Sequence, residues 1–276
     1  MIASIALALA LLGNGQPGIR WEHRFEDAVK RARAAKKPIM IDFWADWCSW
    51  CHRLDQTTYV DPVVVKMSEE FIALKLDTEG AKKNQEIALR YNVATLPTIT
   101  FVTPGGRQIL TLKGFQGPGQ FPRTMETARE VGGRVMAFEE ALDGNPRDAA
   151  ALFGLGVHLF EQEFYEESRE VLARAVAADE GRPVKDRKQA RMLIGIIQNY
   201  DRKYAEGEQV LKEALGIRPA TEYDPKMLFV LARLYVAWNK KDAARNVLVT
   251  LIHDHPDSSV TPKGRDLLKS LALEDK

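Results

Sequence analysis

The chain contains only two cysteines, Cys48 and Cys51, three residues apart in the stretch Trp-Cys-Ser-Trp-Cys. Two thiols at this spacing can form a disulfide that opens and closes, supply half of a metal site, or have no chemical role. A scaffold held by several disulfides is excluded, because no second bridge can form. A tetrahedral zinc site needs three or four ligands, and of the five histidines only His52 adjoins the pair, so we expect no metal.

The cysteines stand between a predicted strand and a predicted helix. The run 39–45 is apolar and rich in β-formers, which is typical of a strand buried on both faces, and a helix is expected over 49–57. Asp61 followed by Pro62 predicts the N-cap of the next helix. Further strands are expected at 71–77, 98–103 and 108–113, and further helices at 24–36, 82–91 and 118–142. Strands that alternate with helices and close in a hairpin predict an α/β domain with a mixed sheet.

Composition limits the classes of protein that fit. The chain has 276 residues, of which 45% are hydrophobic and 28% charged, so it is long enough for two soluble globular domains. Its 39 Lys and Arg nearly balance its 38 Asp and Glu, and neither side of Asp143 carries a basic excess. We therefore expect no nucleic-acid partner.

The N-terminus carries an apolar run at 2–12, followed by a stretch rich in Gly and Pro. Eleven residues are too few to span a bilayer, but they fit the hydrophobic region of a signal peptide. We predict a signal peptide over 1–18, export from a bacterial cytoplasm and no stable membrane span. No Lys or Arg precedes the run, so a frayed or buried N-terminal segment remains the alternative, and the protein would then be cytoplasmic.

From residue 144 onwards the pattern is helical only and repeats three times. Leu155-Gly156, Ser168 and Leu172 align with Ile194-Gly195, Gly207 and Leu211, and again with Leu231-Ala232, Ala244 and Leu248. Small residues alternating with large apolar ones are what stacked helical hairpins require. The pattern resembles tetratricopeptide repeats, although Gln198 stands where a Tyr or Leu is usual. We predict an α/β domain over 19–143 and an all-α repeat domain over 144–276.

Several ordered motifs in the first domain match one family. They are KPIMIDFWADWCSWC around the cysteines, Asp61-Pro62, LKLD at 74–77, VATLPT at 93–98 and Gly114-Phe115. Over about residues 21–141 the chain resembles the thioredoxin superfamily, and within it the C-terminal thioredoxin-like domain of the DsbD family of thiol:disulfide interchange proteins. The resemblance implies a thioredoxin-like α/β fold and a redox-active Cys48-Cys51 couple that needs no other cofactor.

The resemblance gives the two cysteines different roles, which elementary chemistry supports. Backbone N–H groups and the helix dipole favour an anion at a helix N-terminus, so Cys48 is expected to be the acidic, attacking thiol. Cys51 lies one turn further along and is expected to be the shielded, resolving thiol. Two inert core cysteines remain the alternative.

The resemblance also implies roles for residues outside the Cys pair. Asp42 lies mid-strand in an apolar run and matches the family's buried aspartate, a proton acceptor for the resolving cysteine. Lys75 matches the basic neighbour of that aspartate. The alternative is that the two residues form an internal ion pair with no part in catalysis. The family's X-Pro bond before Pro97 is cis and faces the cysteines, which would leave the Leu96 backbone able to pair with a substrate segment. Substrate-binding residues are then Leu96 together with Trp47 and Trp50 as an apolar collar around Cys48.

These expectations combine into an exported thiol–disulfide oxidoreductase that acts on protein thiols and disulfides. The family implies a reducing or electron-relaying role, with an upstream membrane electron donor, and the repeats would dock clients. The alternative is an interaction module in which the repeats bind partners and the thioredoxin-like domain holds peptides with little redox turnover.

Overall fold

The structure is a computed structural model that describes residues 18–179 and 181–273. The chain divides into two compact units, with the boundary between Gly133 and Arg134. The expected signal peptide falls almost entirely outside the described residues. Within the described ranges, no helix combines the length and the apolar character needed to cross a membrane.

The first unit is built around a four-stranded mixed sheet. The strand order is β2-β1-β3-β4, with β1 and β2 parallel and the other neighbours antiparallel. This confirms the predicted α/β class. The elements are α1 (Phe25–Ala35), β1 (Ile39–Trp44), α2 (Ser49–Arg53), α3 (Pro62–Ser68), β2 (Ile72–Asp77), α4 (Lys82–Arg90), β3 (Thr98–Val102), β4 (Gln108–Lys113) and α5 (Phe121–Gly144).

Strand β1 lies at the centre of the unit and is buried on both faces, as its apolar run predicts. Ile39, Ile41 and Phe43 belong to the core that α1 and α4 cover. Met40 points to the opposite face, where it packs with residues from the cysteine-bearing segment and from α5. Side chains alternate along a strand, so Asp42 points to the same face as Met40.

The helix that follows the cysteines differs from the expected continuous α-helix over 49–57. Helix α2 ends at Arg53, and the next turn, Leu54–Thr58, is π-helical. The Tyr59 N–H donates to the Leu54 carbonyl, five residues back, at 2.9 Å. A wider turn of this kind accommodates one more residue than an α-helical turn and is common at functional sites.

The second unit consists of helices. Antiparallel hairpins form from α6 and α7, from α8 and α9, and from α10 and α11, which confirms the predicted tetratricopeptide-like organisation. The helices are the end of α5, α6 (Ala149–Glu161), α7 (Tyr165–Ala177), α8 (Val184–Tyr200), α9 (Tyr204–Gly216), α10 (Asp224–Ala237), α11 (Lys241–Asp254) and α12 (Thr261–Leu273).

Small residues allow the paired helices to approach closely. A Cβ atom at Gly156 would lie 2.6 Å from the Leu172 side chain, and one at Gly195 would lie 2.7 Å from that of Leu211. Real Cβ atoms do not come so near to their neighbours, so a larger side chain would push the helices apart. The aligned glycines of the sequence repeat are therefore points of close helix contact.

A buried ion pair joins the second hairpin to the third. Lys188 of α8 has no exposed side-chain surface, and its Nζ lies 2.6 and 2.7 Å from the two carboxylate oxygens of Asp224 in α10. The Thr221 N–H also donates to that carboxylate, at 2.8 Å. Removing one charge of such a pair leaves the other buried without compensation.

We predict that Asp224→Asn lowers the free energy of unfolding by about 3 to 5 kcal/mol, because it strands the Lys188 ammonium in the core. Urea titration followed by circular dichroism measures the change. Asp242→Asn is the matched control, since the Asp242 side chain is 94% exposed in its pair with Arg245 and its loss is expected to have no measurable effect. Equal stability of Asp224→Asn and the wild type would contradict the prediction.

Candidate active site

The two cysteines form a disulfide at the N-terminus of α2, with their Cα atoms 5.3 Å apart. Cys48 is the N-cap residue, and the Cys51 N–H points at its Sγ at 3.2 Å. A backbone N–H directed at sulfur and the positive end of the helix dipole both stabilise a thiolate once the pair is reduced. The geometry therefore places Cys48, rather than Cys51, at the end of the helix.

The two sulfur-bearing residues differ little in exposure. Cys48 is 3% exposed and Cys51 is fully buried. The little exposed surface that the pair has therefore belongs to Cys48.

Two exposed tryptophans flank Cys48 in the sequence, and each is fixed by a residue from a different loop. Trp47 is 65% exposed, and its indole N–H donates to a Glu79 carboxylate oxygen at 2.5 Å. Trp50 is 58% exposed, and its ring centroid lies 5.3 Å from that of Phe115. Large exposed aromatic side chains held in place are typical of surfaces that bind other proteins.

The structure brings Asp42 and Lys75 together. The two residues are register partners in β1 and β2, and the Lys75 Nζ lies 3.7 Å from a carboxylate oxygen of Asp42. Lys75 also donates to the carboxylate of Asp55, in the π-helical turn. One ammonium group therefore serves two carboxylates, one buried and one partly exposed.

Burial raises the pKa of Asp42 from 3.8 to about 7. The Lys75 charge opposes this increase, while the negative charge of Asp55 adds to it. The Tyr59 hydroxyl lies near the carboxyl group but outside hydrogen-bonding geometry, and within the described residues neither oxygen of Asp42 has a hydrogen-bond partner. Asp42 therefore exchanges its proton near neutral pH.

Aromatic rings surround the Lys75 ammonium group. Its Nζ lies 5.2 Å from the ring centroid of Trp44 and 5.7 Å from those of Trp21 and Tyr59. Cation–π attraction at these distances restricts the Lys75 side chain. Trp44 thus contacts the charged network rather than the exposed surface.

The bond between Leu96 and Pro97 is cis, and Pro97 is buried. The Pro97 carbonyl accepts the Gly114 N–H at 2.8 Å, which ties the segment before β3 to the end of β4. Leu96 is half-buried and packs against the core on the α1 and α4 side of the sheet.

Sequence reasoning missed four residues of this site: Asp55, Tyr59, Glu79 and Phe115. Asp55 had a detectable signal, because it follows Cys51 by four residues and so lies one turn along the same helical segment. Tyr59 closes the π-helical turn that contains Asp55, and the sequence identifies Phe115 only as part of the Gly114-Phe115 motif. Glu79 comes from a separate turn, and nothing in its spacing connects it to the cysteines. As for metals, no group of three or more His, Cys, Asp or Glu placed to hold an ion occurs in the described part of the chain.

We predict that Asp55→Asn lowers the pKa of Asp42 below its value of about 7. The substitution removes a nearby negative charge and leaves Lys75 with one carboxylate to pair with. Lys75→Met is expected to shift the pKa in the opposite direction. Carbon-detected NMR titration of the Asp42 carboxyl measures both shifts.

The control for this pair of variants is Asp46→Asn, which removes an exposed carboxylate from the loop before Cys48. It is expected to leave the pKa of Asp42 unchanged. An Asp42 pKa that rises in Asp55→Asn, or that moves equally in Asp46→Asn, would contradict the described network.

Comparison with known families agrees with these two units. Residues 20–104 match the family model described as thioredoxin-like, and residues 136–183 match that described as a tetratricopeptide repeat. The first match contains the whole Cys48–Cys51 segment, Asp42 and Lys75. The second covers the first helical hairpin.

Curated relatives with similar sequences are thiol:disulfide interchange proteins. The chain is 33% identical over 106 residues to DsbD of Vibrio vulnificus, covering 37% of this chain and 18% of that protein. It is 33% identical over 84 residues to DsbD 1 of Pseudomonas aeruginosa, covering 30% of this chain and 14% of that protein. The chain thus spans less than a fifth of the length of these relatives.

Solved structures similar to this chain include an oxidoreductase and a domain of a DsbD protein. The first is the DsbH oxidoreductase, with a TM-score of 0.38 and 19% identity over 46% of this chain and 95% of that one. The second is the C-terminal domain of Neisseria meningitidis DsbD in the oxidised form, with a TM-score of 0.34 and 22% identity over 37% of this chain and 90% of that one. The chain consists of a thioredoxin-like domain with a Cys48–Cys51 disulfide, similar in sequence to DsbD proteins, followed by a helical tetratricopeptide-repeat region.

Proposed function

We propose that this protein is an exported thiol–disulfide oxidoreductase that exchanges its Cys48–Cys51 disulfide with protein partners. The observation that carries the proposal is the disulfide itself, placed at the N-terminus of α2 in a thioredoxin-like domain. A helix N-terminus lowers the pKa of a thiol, and a vicinal second thiol gives the first a rapid way out of a mixed disulfide.

In the reducing direction the exchange has two steps. The Cys48 thiolate attacks one sulfur of the client disulfide, which breaks the client S–S bond, forms a mixed disulfide and releases the other client sulfur as a thiolate, which takes a proton from water. Cys51 then loses its proton and attacks the Cys48 sulfur, which releases the second client thiol and closes the Cys48–Cys51 disulfide. Two electrons pass from the Cys pair to the client, which takes up two protons.

Asp42 is proposed to accept the proton of Cys51 in the second step. Its carboxyl points to the sheet face on which the cysteine-bearing segment packs, and its pKa of about 7 allows it to take and release a proton near neutral pH. Lys75 and Asp55 are positioning residues in this proposal, since they act through the Asp42 carboxyl.

The direction we propose is reduction or electron relay. Sequence similarity to proteins named as thiol:disulfide interchange proteins supports exchange between two thiol systems. A reducing cycle needs an electron source, for which we propose a membrane donor upstream. It also needs a compartment in which client disulfides form, and we propose the bacterial periplasm. The cytoplasm is the alternative if the N-terminal run is not a signal.

The three helical hairpins are proposed to dock clients. Stacked hairpins present a long surface on which an extended peptide or a partner domain can lie. The competing proposal is that these hairpins carry the main function and that the thioredoxin-like domain holds peptides without turnover. The two proposals differ in whether clients become covalently attached to Cys48.

Trapping with Cys51→Ser tests the proposal. Without the resolving thiol, the mixed disulfide on Cys48 cannot be released, so the variant is expected to accumulate client adducts that disappear on reduction. Cys48→Ser is the matched control and is expected to trap none. Envelope fractions of cells that express each variant, separated on non-reducing gels, show the adducts. Equal adduct levels in the two variants, or none in either, would favour the interaction module.

A further inference from the structure

A groove with an apolar floor lies between α1 and α4. Its volume is about 590 Å³, and Phe25, Val29 and Ile87 contribute apolar side chains to it. Helices α1 and α4 cover the sheet face that Ile39, Ile41 and Phe43 enter, whereas the cysteine-bearing segment packs with Met40 on the opposite face. The groove is therefore separate from the site of thiol chemistry.

Cations dominate the walls of the groove. Lys30 and Arg33 project from α1, and Lys83 and Arg90 project from α4. Two carboxylates also line it. Glu26 is paired with Lys83. A carboxylate oxygen of Glu86 lies 3.9 Å from the Nζ of Lys82, a residue that does not line the groove.

This positive charge stands out in a chain whose net charge is only +1. The segment 30–37 carries five cations and no acid. Arg33 donates to the Pro104 carbonyl, a neutral group, so its charge is not compensated by that contact. Lys30 has no ion-pair partner among the residues that the structure describes. Since Lys83 is paired with Glu26, the groove cations that have no ion pair with a described residue are Lys30, Arg33 and Arg90, and these are available to an anionic partner.

The shape of the groove decides between anionic partners. A bilayer surface is flat, and it would meet the charged rims while leaving the recessed apolar floor empty. Nucleic acid would satisfy the cations but has no apolar side chains for the floor. A peptide segment with apolar side chains on one face and carboxylates beside them satisfies both parts of the groove.

We propose that the groove between α1 and α4 docks an acidic, apolar segment of a partner protein. The apolar side chains of the segment pack on Phe25, Val29 and Ile87, and its carboxylates pair with the cations of both walls. Because the groove and the cysteine-bearing segment lie on opposite faces of the sheet, the partner leaves the surface around Cys48 uncovered. The proposal is independent of the redox function.

The probe is a fluorescein-labelled peptide of about twelve residues, or three helical turns, with Leu at spacings of three and four and Glu at the flanking positions. Fluorescence anisotropy with the full chain is expected to show saturable binding. A peptide with Gln in place of each Glu is expected to bind at least about tenfold more weakly, which corresponds to a loss of about 1.4 kcal/mol of binding free energy. Salt at 0.5 M is expected to weaken binding of the acidic peptide by a similar factor.

Charge reversal on the protein locates the site. Lys30→Glu combined with Arg90→Glu, one change in each wall, is expected to reduce affinity at least about tenfold. Lys226→Glu combined with Lys269→Glu makes the same change of net charge in the helical repeats and is expected to bind like the wild type. All four side chains are at least partly exposed, and circular dichroism verifies that both variants fold.

Three outcomes would overturn the proposal. One is the absence of saturable binding by the acidic peptide. Another is equal weakening by both double variants, which would mean nonspecific charge attraction. The third is binding to vesicles of anionic phosphatidylglycerol, lost in Lys30→Glu/Arg90→Glu, with no binding of the peptide, which would assign the groove to a membrane surface.

Discussion

Replacing Cys48 with serine is expected to slow reduction of a protein disulfide by at least about a thousandfold, the scale seen when an enzyme loses its nucleophile. A serine hydroxyl stays protonated at neutral pH and does not attack a disulfide. The chain has no cysteine besides Cys48 and Cys51, so no other thiol can take over with comparable placement. Turnover of a protein disulfide substrate with dithiothreitol as the electron source measures the loss.

The comparison requires a variant that changes the chain without touching the site. Thr127→Ser removes one methyl group from an exposed position of α5 and is expected to keep the wild-type rate. A Cys48→Ser protein that turns over at the wild-type rate would contradict the assignment of Cys48 as the nucleophile.

Replacing Asp42 with asparagine is expected to make stability less dependent on pH. Burial raises the pKa of Asp42 in the folded protein to about 7, against an ordinary value of 3.8. Because the pKa is raised in the folded protein, its contribution to the free energy of unfolding is fully present below pH 3.8. That contribution is lost as the pH rises through about 7. The pKa shift corresponds to a loss of about 4 kcal/mol in the free energy of unfolding across this pH range. An asparagine does not titrate, so the Asp42→Asn variant does not undergo this loss.

Urea unfolding of the two proteins across this pH range measures the effect. The stability advantage of Asp42→Asn is expected to grow as pH rises from 3.8 to about 7 and then to level off. A difference that stays constant across the range would show that Asp42 does not ionise with a raised pKa. Lys75→Met, which removes the opposing charge, is expected to move the midpoint of this pH dependence upwards.

The same substitution tests the proposed proton transfer. In the wild type the rate of mixed-disulfide resolution is expected to increase through the pKa of Asp42, and Asp42→Asn is expected to remove that inflection. Stopped-flow measurement of single turnovers against pH reports it. If the pH dependence of the rate is the same in Asp42→Asn as in the wild type, Asp42 and Lys75 form an internal ion pair with no part in catalysis.

Much of the thioredoxin-like unit could be predicted because its residues act locally. The apolar run of β1 and the Asp61 N-cap, which accepts the N–H groups of Val63 and Val64, depend on neighbours in sequence. The pairing of Asp42 with Lys75 followed from the family resemblance. The π-helical turn did not follow, since a single shifted hydrogen bond depends on how the segment packs rather than on its residue types.

In the helical repeat unit, too, features set by residue type could be predicted, whereas features set by packing between elements could not. Glycines opposite leucines, such as Gly156 and Leu172, identify the hairpins because close helix contact requires small residues. The turns within the hairpins have left-handed residues at Glu163, Arg202 and Asn239, spaced like the repeats. Only the last of these has a side chain that favours such a conformation, so the residue types do not reveal the pattern. The ion pair of Lys188 joins two hairpins and has no signal in either one.

The equilibrium between the Cys48–Cys51 pair and glutathione tests the central claim most directly. Incubation in glutathione buffers of graded ratio, followed by alkylation and mass spectrometry, gives the reduction potential of the pair. A reducing or electron-relaying protein is expected to have a value near that of thioredoxin, about −270 mV. A value near about −120 mV, that of a strong oxidant, would contradict the proposed direction of electron flow.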